Sequence, residues 1–391
     1  MRVLWITNSF YPQIGGLQVY VDRLTNSLSK LSDVGLVTAS HQSAPENPSI
    51  SHFRVEKLTR PGKAEVWQQA AADVRKVIAD FRPDVVHFSC ATVAVYRATI
   101  PCGVPVLATV HGNDLTWPSQ FIPGEDPTAW IVDGLNACDH VLAVSNHTAA
   151  LLRRWGVTAP QSVFTAGCDL DFFQPNSDGV AETRLRYGIT VQAPMLLTVA
   201  RLVSRKGHFH VLEALGRLPF PVWWMVVGNG PLLGALSESV TDLGLEDQVR
   251  MVGEISNQDL LALYNACDIF VLVSEEREDG RSLDSEGFGL VFHEAGACGK
   301  PVIATDISGC KEAVVDGVTG LLVPPADPQA LADRIEYLFS NPEVADALGR
   351  GGLALVRTLG GWDRLAFQVH EMYERLAAER VALGSVADQR K

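Results

Sequence analysis

The chain has 391 residues, of which 47% are hydrophobic and 20% are charged, and its formal net charge is −13. This length suffices for two domains with separate cores, and the composition is typical of a folded globular protein, which excludes a disordered chain. The negative charge excludes a general nucleic-acid binder.

Short apolar segments alternate with helical patterns along the whole chain. The strands predicted in the first half are Val3–Ile6, Val34–Val37, Val85–Phe88, Val104–Val110 and Val141–Val144. The strands predicted in the second half are Met195–Val199, Val222–Val227, Val249–Val252, Ile269–Leu272 and Pro301–Ala304. The predicted helices include Gln18–Leu31, Val66–Phe81, Leu212–Leu218 and Asp259–Ala266. This alternation predicts an α/β fold with parallel sheets covered by helices on both faces.

The two halves of the chain predict two domains. Each half begins with a strand that leads into a polar or glycine-bearing loop, which indicates two Rossmann-like domains rather than one large sheet. We expect the first domain over residues 1–175 and the second over 190–361, with the boundary in the polar segment 174–194. A cleft between two such domains is the default ligand site.

The C-terminal segment carries one long helical pattern, from Trp362 to Val381. It follows a glycine-rich segment, 349–361, which predicts a turn. We expect the segment from about 362 to 391 to cross back to the first domain.

The most informative segment runs from Glu286 to Glu294, where two carboxylates bracket an apolar run. Gly287 and Gly289 disfavour one continuous helix, so we predict a loop followed by a helix that starts near Leu290. Glu286 would then lie in the loop, and Glu294 in the early turns of the helix.

The start of this helix predicts an anion site. The amides of residues 289–292 would point out of the helix N-terminus, which suits a diphosphate. Because carboxylates repel phosphate, Glu286 and Glu294 are better placed to bind hydroxyls, as on a sugar and a ribose. Together these features indicate a nucleotide-sugar site. The alternative is that both glutamates are surface charges at an ordinary junction between a loop and a helix.

Two cations follow the first strand of the second half. Arg201 and Lys206 lie in the segment 199–207. This half of the chain is acidic, because residues after 175 include 19 basic and 30 acidic side chains. Ligands bind at the carboxyl ends of strands in α/β sheets, and this pair fits a diphosphate leaving group. Solvated surface charges are the alternative.

Two weaker motifs lie in the first half. Gly15 and Gly16 follow the first strand and precede a helix, where paired glycines permit close approach to a phosphate, although such a pair more often forms a simple turn. His111 ends the fourth predicted strand and is placed to bond a ligand hydroxyl or carbonyl, although a core histidine with satisfied hydrogen bonds explains it as well.

Further weak signals follow strands of the second half. Gly228 and Asn229 close an apolar strand and would border a nucleotide, unless they form a structural turn. Ile255 follows the next strand and would offer backbone groups to a base. The charged segment 274–285, with Arg277 and Arg281, is either a mobile lid or a solvated insertion. No Asp-x-Asp motif or His/Cys cluster suggests a metal site.

Cysteine usage and hydropathy bear on the compartment. The seven cysteines include no Cys-x-x-Cys pair and lie mostly in apolar stretches, as is typical of buried thiols in a reducing environment. The first apolar run is too short for a signal peptide, and no run of 18 apolar residues exists. We expect a cytoplasmic protein.

Taken together, these motifs resemble those of family-four retaining glycosyltransferases of the group 1 type, and they occur in the same order along nearly the whole chain. That family has the GT-B architecture, in which two Rossmann-like domains face each other across a cleft. The resemblance implies that the N-terminal domain binds the acceptor and the C-terminal domain the nucleotide sugar. The residues it places in catalysis are His111, Arg201, Lys206 and Glu286. The residues it places in donor binding are Gly15, Gly16, Gly228, Asn229, Ile255, Phe288, Gly289, Leu290, Val291 and Glu294.

The resemblance also implies the role of each group. His111 lines the donor sugar, Glu286 faces it, and Glu294 holds the ribose hydroxyls. Arg201 and Lys206 neutralise the diphosphate together with helix amides, and would replace a divalent cation at the leaving group. The implied reaction is metal-independent transfer of a hexose from a UDP- or GDP-hexose, with retention at the anomeric carbon and without a cofactor. The acceptor is a hydroxyl of a glycan, lipid or small molecule.

Two other functions stay open at this point. One is a nucleotide-sugar epimerase of the same shape, and the other is a catalytically inactive subunit that binds sugar nucleotides. Membrane contact is at most peripheral, at the inner face, because residues 52–97 contain only eight basic against five acidic side chains.

Overall fold

The computed structural model describes residues 1–11, 15–39, 47–55, 58, 64–101, 103–116, 128–278, 283–284, 286–307 and 309–388. The chain divides into two compact units. Unit 1 comprises Met1–Gly167, Glu278–Leu283 and Trp362–Lys391, and unit 2 comprises Cys168–Arg277 and Asp284–Gly361. The division between Gly167 and Cys168 precedes the segment 174–194 in which the sequence suggests a boundary.

Unit 1 is built on a parallel sheet of seven strands. In chain order the strands are β1 (Arg2–Thr7), β2 (Asp33–Thr38), β3 (Ile50–Arg54), β4 (Val85–Phe88), β5 (Val106–Val110), β6 (His140–Ala143) and β7 (Gln161–Val163). Their spatial order is β3-β2-β1-β4-β5-β6-β7, and all pairs are parallel. The order reverses between β1 and β4, the topological switch point at which α/β sheets bind ligands.

Helices connect the strands of unit 1. They are α1 (Gly16–Leu28), α2 (Ala64–Phe81), a 3-10 helix (Ala91–Thr99), α3 (Asn113–Thr116), α4 (Thr128–Asn136), α5 (Asn146–Arg154) and, at the C-terminal end, α14 (Trp362–Asp388). The long C-terminal helix packs on α1. A buried hydrogen bond of 2.5 Å between the Tyr373 hydroxyl and Nδ1 of His87 joins α14 to β4.

Unit 2 is built on a parallel sheet of six strands. They are β8 (Met195–Val199), β9 (Trp223–Val227), β10 (Val249–Gly253), β11 (Ile269–Leu272), β14 (Val302–Thr305) and β15 (Gly320–Val323). The spatial order is β10-β9-β8-β11-β14-β15, so the switch point lies between β8 and β11. Two short segments, β12 (Arg277–Glu278) and β13 (Leu283–Asp284), form a separate two-stranded sheet.

The helices of unit 2 follow the same alternation. They are α6 (Val180–Arg186), a 3-10 turn (Ser204–Lys206), α7 (His208–Leu215), α8 (Leu233–Asp242), α9 (Asn257–Ala266), α10 (Leu290–Ala297), α11 (Cys310–Ala313), α12 (Pro328–Ser340) and α13 (Pro342–Leu359). Each unit has its own core of buried aliphatic and aromatic side chains.

The ten strands predicted from sequence are all present, with ends that differ by at most two residues. In the two large sheets, the strands that sequence missed are β3, β7 and β15, which all lie at sheet edges, and the short strands β12 and β13 were not predicted either. β3 and β7 are short and partly solvated, so their apolar signal is weak.

One predicted turn is wrong. The glycine-rich segment 349–361 mostly continues α13, which ends at Leu359. Gly349 and Gly352 serve close packing there: a Cβ on Gly349 would lie 2.1 Å from the carbonyl oxygen of Gly299, and one on Gly352 would lie 3.2 Å from Cα of Gly296. Small side chains in this helix thus permit contact with α10 instead of breaking the helix.

One expectation about the whole chain is met where the structure describes it. The six cysteines within the described ranges are buried and unpaired, and Cys102 lies outside those ranges. No described helix combines the length and apolar character needed to cross a membrane.

Candidate active site

The loop that carries Lys206 is fixed against the end of β11. Gly207 has a left-handed backbone, with φ of 68°, and a Cβ at this position would lie 1.9 Å from the carbonyl oxygen of Val273. The amide of Glu275 also donates to the carbonyl of Arg205 across 2.7 Å. Only glycine fits position 207, and its close approach brings Lys206 to the carboxyl edge of the sheet.

Glu286 is the centre of a buried charged cluster at this edge. Its Oε2 accepts hydrogen bonds from the ammonium of Lys206, from Nη1 of Arg205 across 3.2 Å, and from the hydroxyl of Ser274 across 3.3 Å. The side chains of Lys206 and Glu286 are 12% and 11% exposed. One carboxylate therefore faces two cations in a site of low solvent access.

The cluster stays ionised despite its burial. Burial alone would raise the pKa of Glu286, but the charges of Lys206 and Arg205 and the hydrogen bonds from Lys206 and Ser274 bring it down to about 2. Burial lowers the pKa of Lys206, and the Glu286 carboxylate opposes that shift. The two groups thus keep each other charged.

Helix α10 begins as predicted and leaves its first amides uncapped. Gly289 precedes the helix with φ of 87°, and a Cβ there would lie 2.6 Å from the Phe292 ring. No side chain in the described part of the chain caps this end, and the first turn holds no acidic residue. Leu290 and Val291 are half-buried, and Phe288 is buried against His293. The amides of this helix end can therefore receive an anion. Beyond the helix, Gly299 has φ of 72°, a left-handed conformation that suits a glycine just after a helix C-terminus.

Glu294 lies on the same helix and is held by an aromatic side chain. The phenol of Tyr264 donates to its Oε2 across 2.7 Å. Tyr264 is fully buried, while Glu294 is half-buried. The second glutamate is thus oriented by α9.

Arg201 and the Gly228–Asn229 turn share the neighbouring strand ends. Gly228 has φ of 130°, and a Cβ on it would lie 2.1 Å from the carbonyl oxygen of Ala200. The amide of Leu202 donates to the Asn229 carbonyl across 2.9 Å. Arg201 is exposed, and no described side chain pairs with it. The glycine therefore has a structural function, and the turn supports the loop that presents Arg201. Ile255 follows β10 and is half-buried.

In unit 1, Gly15 and Gly16 lie at the start of α1, whose first turn has neither a side-chain cap nor an acidic residue. Among the described residues, a Cβ on Gly16 would meet no atom within 4 Å, and one on Gly15 would meet only the flexible Gln18 side chain, at 2.9 Å. Packing within the described chain therefore does not require glycine at position 16.

His111 stands directly after β5 and is well ordered by its neighbours. Its Nε2 bonds the Ser89 carbonyl across 3.0 Å, so this nitrogen carries the proton. Asp114 accepts from the amides of His111 at 2.9 Å and Ala91 at 2.7 Å, and the Tyr20 ring meets the imidazole edge-on. Burial lowers the pKa of His111 although Asp114 opposes the shift, so the imidazole is neutral near pH 7.

The structure thus brings together some of the residues singled out from sequence. Lys206 contacts Glu286 directly, and Glu294 shares α10 with Leu290 and Val291. Sequence reasoning missed Arg205, although its place beside Lys206 was a signal, and it missed Tyr264, whose contact depends on the packing of α9 against α10. In the charged loop, Arg277 begins β12, and Arg281 lies outside the described residues.

The residues that the structure describes contain no group of three or more His, Cys, Asp or Glu side chains placed to hold a metal ion. Metal-independent catalysis nevertheless stays a prediction, to be tested with chelator.

The chain is similar to known proteins along most of its length. Residues 181–353 match the family model for glycosyl transferases group 1, and residues 14–172 match that for Glycosyltransferase Family 4. A GDP-mannose-dependent alpha-(1-6)-phosphatidylinositol monomannoside mannosyltransferase of Mycobacterium tuberculosis is 30% identical, over 93% of this chain and 96% of that protein. A D-inositol 3-phosphate glycosyltransferase of Xylanimonas cellulosilytica is 28% identical, over 94% and 93%. The structure of sucrose-phosphate synthase from Thermosynechococcus elongatus superposes with a TM-score of 0.83 at 25% identity, over 97% of this chain and 99% of that one.

Proposed function

The chain belongs to the group 1, family 4 glycosyltransferases, and we propose that it transfers mannose from GDP-mannose to a hydroxyl of an inositol-containing acceptor, with retention and without a metal. The donor is proposed from the mannosyltransferase relative, whose name specifies GDP-mannose. The acceptor is proposed from two relatives whose names specify an inositol phosphate or a phosphatidylinositol mannoside. Transfer of a hexose from a nucleotide sugar is the reaction that this family shares.

The buried cluster of Arg205, Lys206 and Glu286 is the observation that carries the proposal. Solvent and salt screen the charge of a mobile surface lysine, whereas the Lys206 side chain is nearly enclosed at the carboxyl edge of a parallel sheet. A buried ammonium near an uncapped helix start can stabilise the charge that develops on a leaving diphosphate. This arrangement supplies electrostatic stabilisation from protein groups alone.

The proposed reaction is a same-face displacement. The bond between the anomeric carbon and the diphosphate oxygen breaks, and the acceptor oxygen forms its bond to that carbon on the same face. The acceptor proton passes to the departing phosphate. Lys206, Arg201 and the first amides of α10 stabilise the diphosphate, while Glu286 and neutral His111 bind sugar hydroxyls.

The two units have different proposed roles. Unit 2 binds the nucleotide sugar through the strand-end residues described above, with Glu294 on the ribose hydroxyls and Gly228, Asn229 and Ile255 near the nucleoside. Unit 1 binds the acceptor through the loops after β1 and β5, which carry Gly15, Gly16 and His111. With a lipid acceptor, the enzyme would meet the membrane only peripherally, in the cytoplasm.

Calorimetric titration in chelator tests the donor site first. Micromolar binding of GDP that exceeds the binding of UDP and ADP is the expected result. Turnover then follows with GDP-mannose, UDP-glucose and UDP-galactose as donors, and with D-inositol 3-phosphate or phosphatidylinositol mannoside vesicles as acceptors. Acceptor-dependent release of GDP and an α-linked product by NMR are expected.

The same assay separates the other possibilities. An epimerase would convert the nucleotide sugar without an acceptor and would release no nucleoside diphosphate. An inactive subunit would bind the nucleotide without turnover on any acceptor. Loss of activity in chelator, restored by magnesium or manganese, would contradict metal-independent transfer.

A further inference from the structure

We propose that Tyr264 is a positioning residue for the donor ribose, because its phenol fixes the orientation of the Glu294 carboxylate. This inference rests on the proposed function, in which Glu294 accepts hydrogen bonds from the ribose hydroxyls. The observation behind it is the hydrogen bond of 2.7 Å from the Tyr264 hydroxyl to Oε2 of Glu294.

The direction of this hydrogen bond is fixed. Burial raises the pKa of Tyr264 well above its usual range, and the charge of Glu294 and its hydrogen bond raise it further. The phenol therefore keeps its proton and donates it to the carboxylate. A charge-assisted hydrogen bond of this length is stronger than a neutral one and favours a single carboxylate orientation.

Tyr264 is itself held rigidly. Its ring is fully buried and contacts Phe173 edge-on, with ring centres 5.6 Å apart, and Phe270 at 5.7 Å. The next residue, Asn265, accepts from the Asn176 amide across 2.8 Å, and its backbone carbonyl accepts from the Lys300 ammonium across 2.8 Å. The end of α9 therefore cannot shift without breaking several contacts. Because Tyr264 is held in this way, its hydrogen bond restricts the side chain of Glu294.

A fixed carboxylate matters for a vicinal diol. Two neighbouring hydroxyls bind one carboxylate well only when its plane is correctly oriented, and a freely rotating side chain loses entropy when it binds. Because the Tyr264 hydroxyl already occupies one hydrogen-bonding position of Oε2, the ribose hydroxyls meet a carboxylate that is oriented before the donor binds. Its removal should weaken recognition of the ribose hydroxyls and leave recognition of the diphosphate intact.

The test compares ribose and deoxyribose ligands. GDP and 2′-deoxy-GDP are titrated calorimetrically into wild type and Tyr264→Phe, with UDP and 2′-deoxy-UDP as a second pair. We expect wild type to prefer the ribonucleotide by about tenfold, the value of one charge-assisted hydrogen bond, and Tyr264→Phe to lose most of that preference. Affinity for the deoxy ligand should change little, a result that a merely structural role would not produce.

Tyr373→Phe is the matched control. It also removes a buried phenol hydrogen bond, here to His87, but in unit 1. It should lower the melting temperature and keep the full ribose preference. In a Glu294→Ala background, where the preference is already lost, Tyr264→Phe should have no further effect on it.

The outcomes separate the inference from its premise. An unchanged ribose preference in a folded Tyr264→Phe variant overturns the positioning role, while nucleotide binding by wild type still supports the donor site. Failure of wild type to bind any of the four nucleotides overturns the proposed function itself. If Tyr264→Phe does not fold, an unaltered preference in Tyr264→Trp or Tyr264→Leu, measured on folded protein, also overturns the role.

Discussion

The ammonium of Lys206 and the carboxylate of Glu286 form one ion pair in the interior of unit 2. The sequence suggests separate partners for them, the diphosphate for the lysine and the sugar for the glutamate. A donor whose phosphate binds the Lys206 ammonium must therefore share that ammonium with Glu286 or displace the Glu286 carboxylate from it. Arg205 makes either possible, because it gives Glu286 a second cation at 3.2 Å. The site can exchange one anionic partner of Lys206 for another without leaving the carboxylate unpaired.

Replacement of Lys206 by alanine should weaken donor binding strongly. Hydrogen bonds to charged groups contribute about 1.5–3 kcal/mol, so affinity for GDP should fall by about 10- to 100-fold. Calorimetry with GDP measures this, and turnover should fall at least as much. Lys311→Ala is the control, since it removes the same charge from unit 2, at an exposed pair with Asp306. Near-normal turnover in Lys206→Ala would contradict the site assignment.

Glu286 should make stability depend on acidic pH. Its pKa in the folded chain, about 2, lies below its ordinary value of 4.5. Its contribution to stability is therefore complete above pH 4.5 and is lost as the pH falls toward 2. Between these values, the advantage of wild type over Glu286→Gln should shrink by about 1.4 kcal/mol per pH unit.

Urea unfolding of both proteins at pH 5, 4 and 3 measures this difference. At pH 7, Glu286→Gln should be the less stable protein by about 3–5 kcal/mol, because Lys206 and Arg205 remain buried without their carboxylate. A constant difference from pH 5 to pH 3 would show that the carboxylate is not held ionised by its cations.

Local signals explain which parts of the fold sequence could predict. The interior strand β11 is a continuous apolar run, and the interior strand β8 is apolar apart from Thr198, so sequence could predict both. The edge strand β7 has only three residues, and none of them is fully buried. The glycines of α13 mimic a turn in sequence, and only the contact with α10 reveals their function.

The candidate site divides in the same way. The start of α10 at Leu290 and the left-handed Gly289 follow from local glycine chemistry, so sequence could predict them. The pairing of Glu286 with Lys206 depends on a close approach of Gly207 to Val273, which joins distant parts of the chain. The phenol of Tyr264 likewise reaches Glu294 only through tertiary packing. Spacing along the chain carries no information about such contacts.

His293 should be a source of instability. Both of its ring nitrogens are buried and lack a hydrogen-bond partner among the described residues, and burial lowers its pKa to about 4. Because an unpaired buried polar group costs about 1–3 kcal/mol, His293→Leu should raise the free energy of unfolding by about 1 kcal/mol or more. Thermal and urea unfolding measure the change.

The matched comparison is His87→Leu, which should act in the opposite direction. His87 bonds the hydroxyls of Tyr373 at 2.5 Å and Thr109 at 2.8 Å, so its loss should cost about 2 kcal/mol or more. Equal destabilisation by both substitutions would show that His293 has a partner, such as a buried water.

His111 should act on transfer rather than on nucleotide affinity. In the proposed site it bonds the donor sugar as a neutral imidazole, so His111→Ala should lower kcat by about 10- to 100-fold. Affinity for GDP, which lacks the sugar, should stay within about twofold of wild type. Because burial lowers the pKa of His111, activity should show no acid limb from this group near pH 6.5. His140→Ala is the control, because His140 lies at the amino end of β6 whereas His111 follows the carboxyl end of β5. This variant should transfer the sugar at the wild-type rate.

Gly16 offers a way to separate stability from ligand approach. A Cβ on Gly16 would meet no atom of the described residues within 4 Å, and Gly16 begins α1. On packing grounds Gly16→Ala should stabilise the helix by about 0.5–1 kcal/mol. If the donor approaches the backbone there, the added methyl group should instead lower kcat/KM by tenfold or more, with no loss in melting temperature.

Gly234→Ala is the matched control, because Gly234 lies in the first turn of α8 and also has open space around it. The two variants should gain similar stability, and only Gly16→Ala should lose activity. Full activity in a stabilised Gly16→Ala would show that this glycine belongs to a turn and not to the donor site.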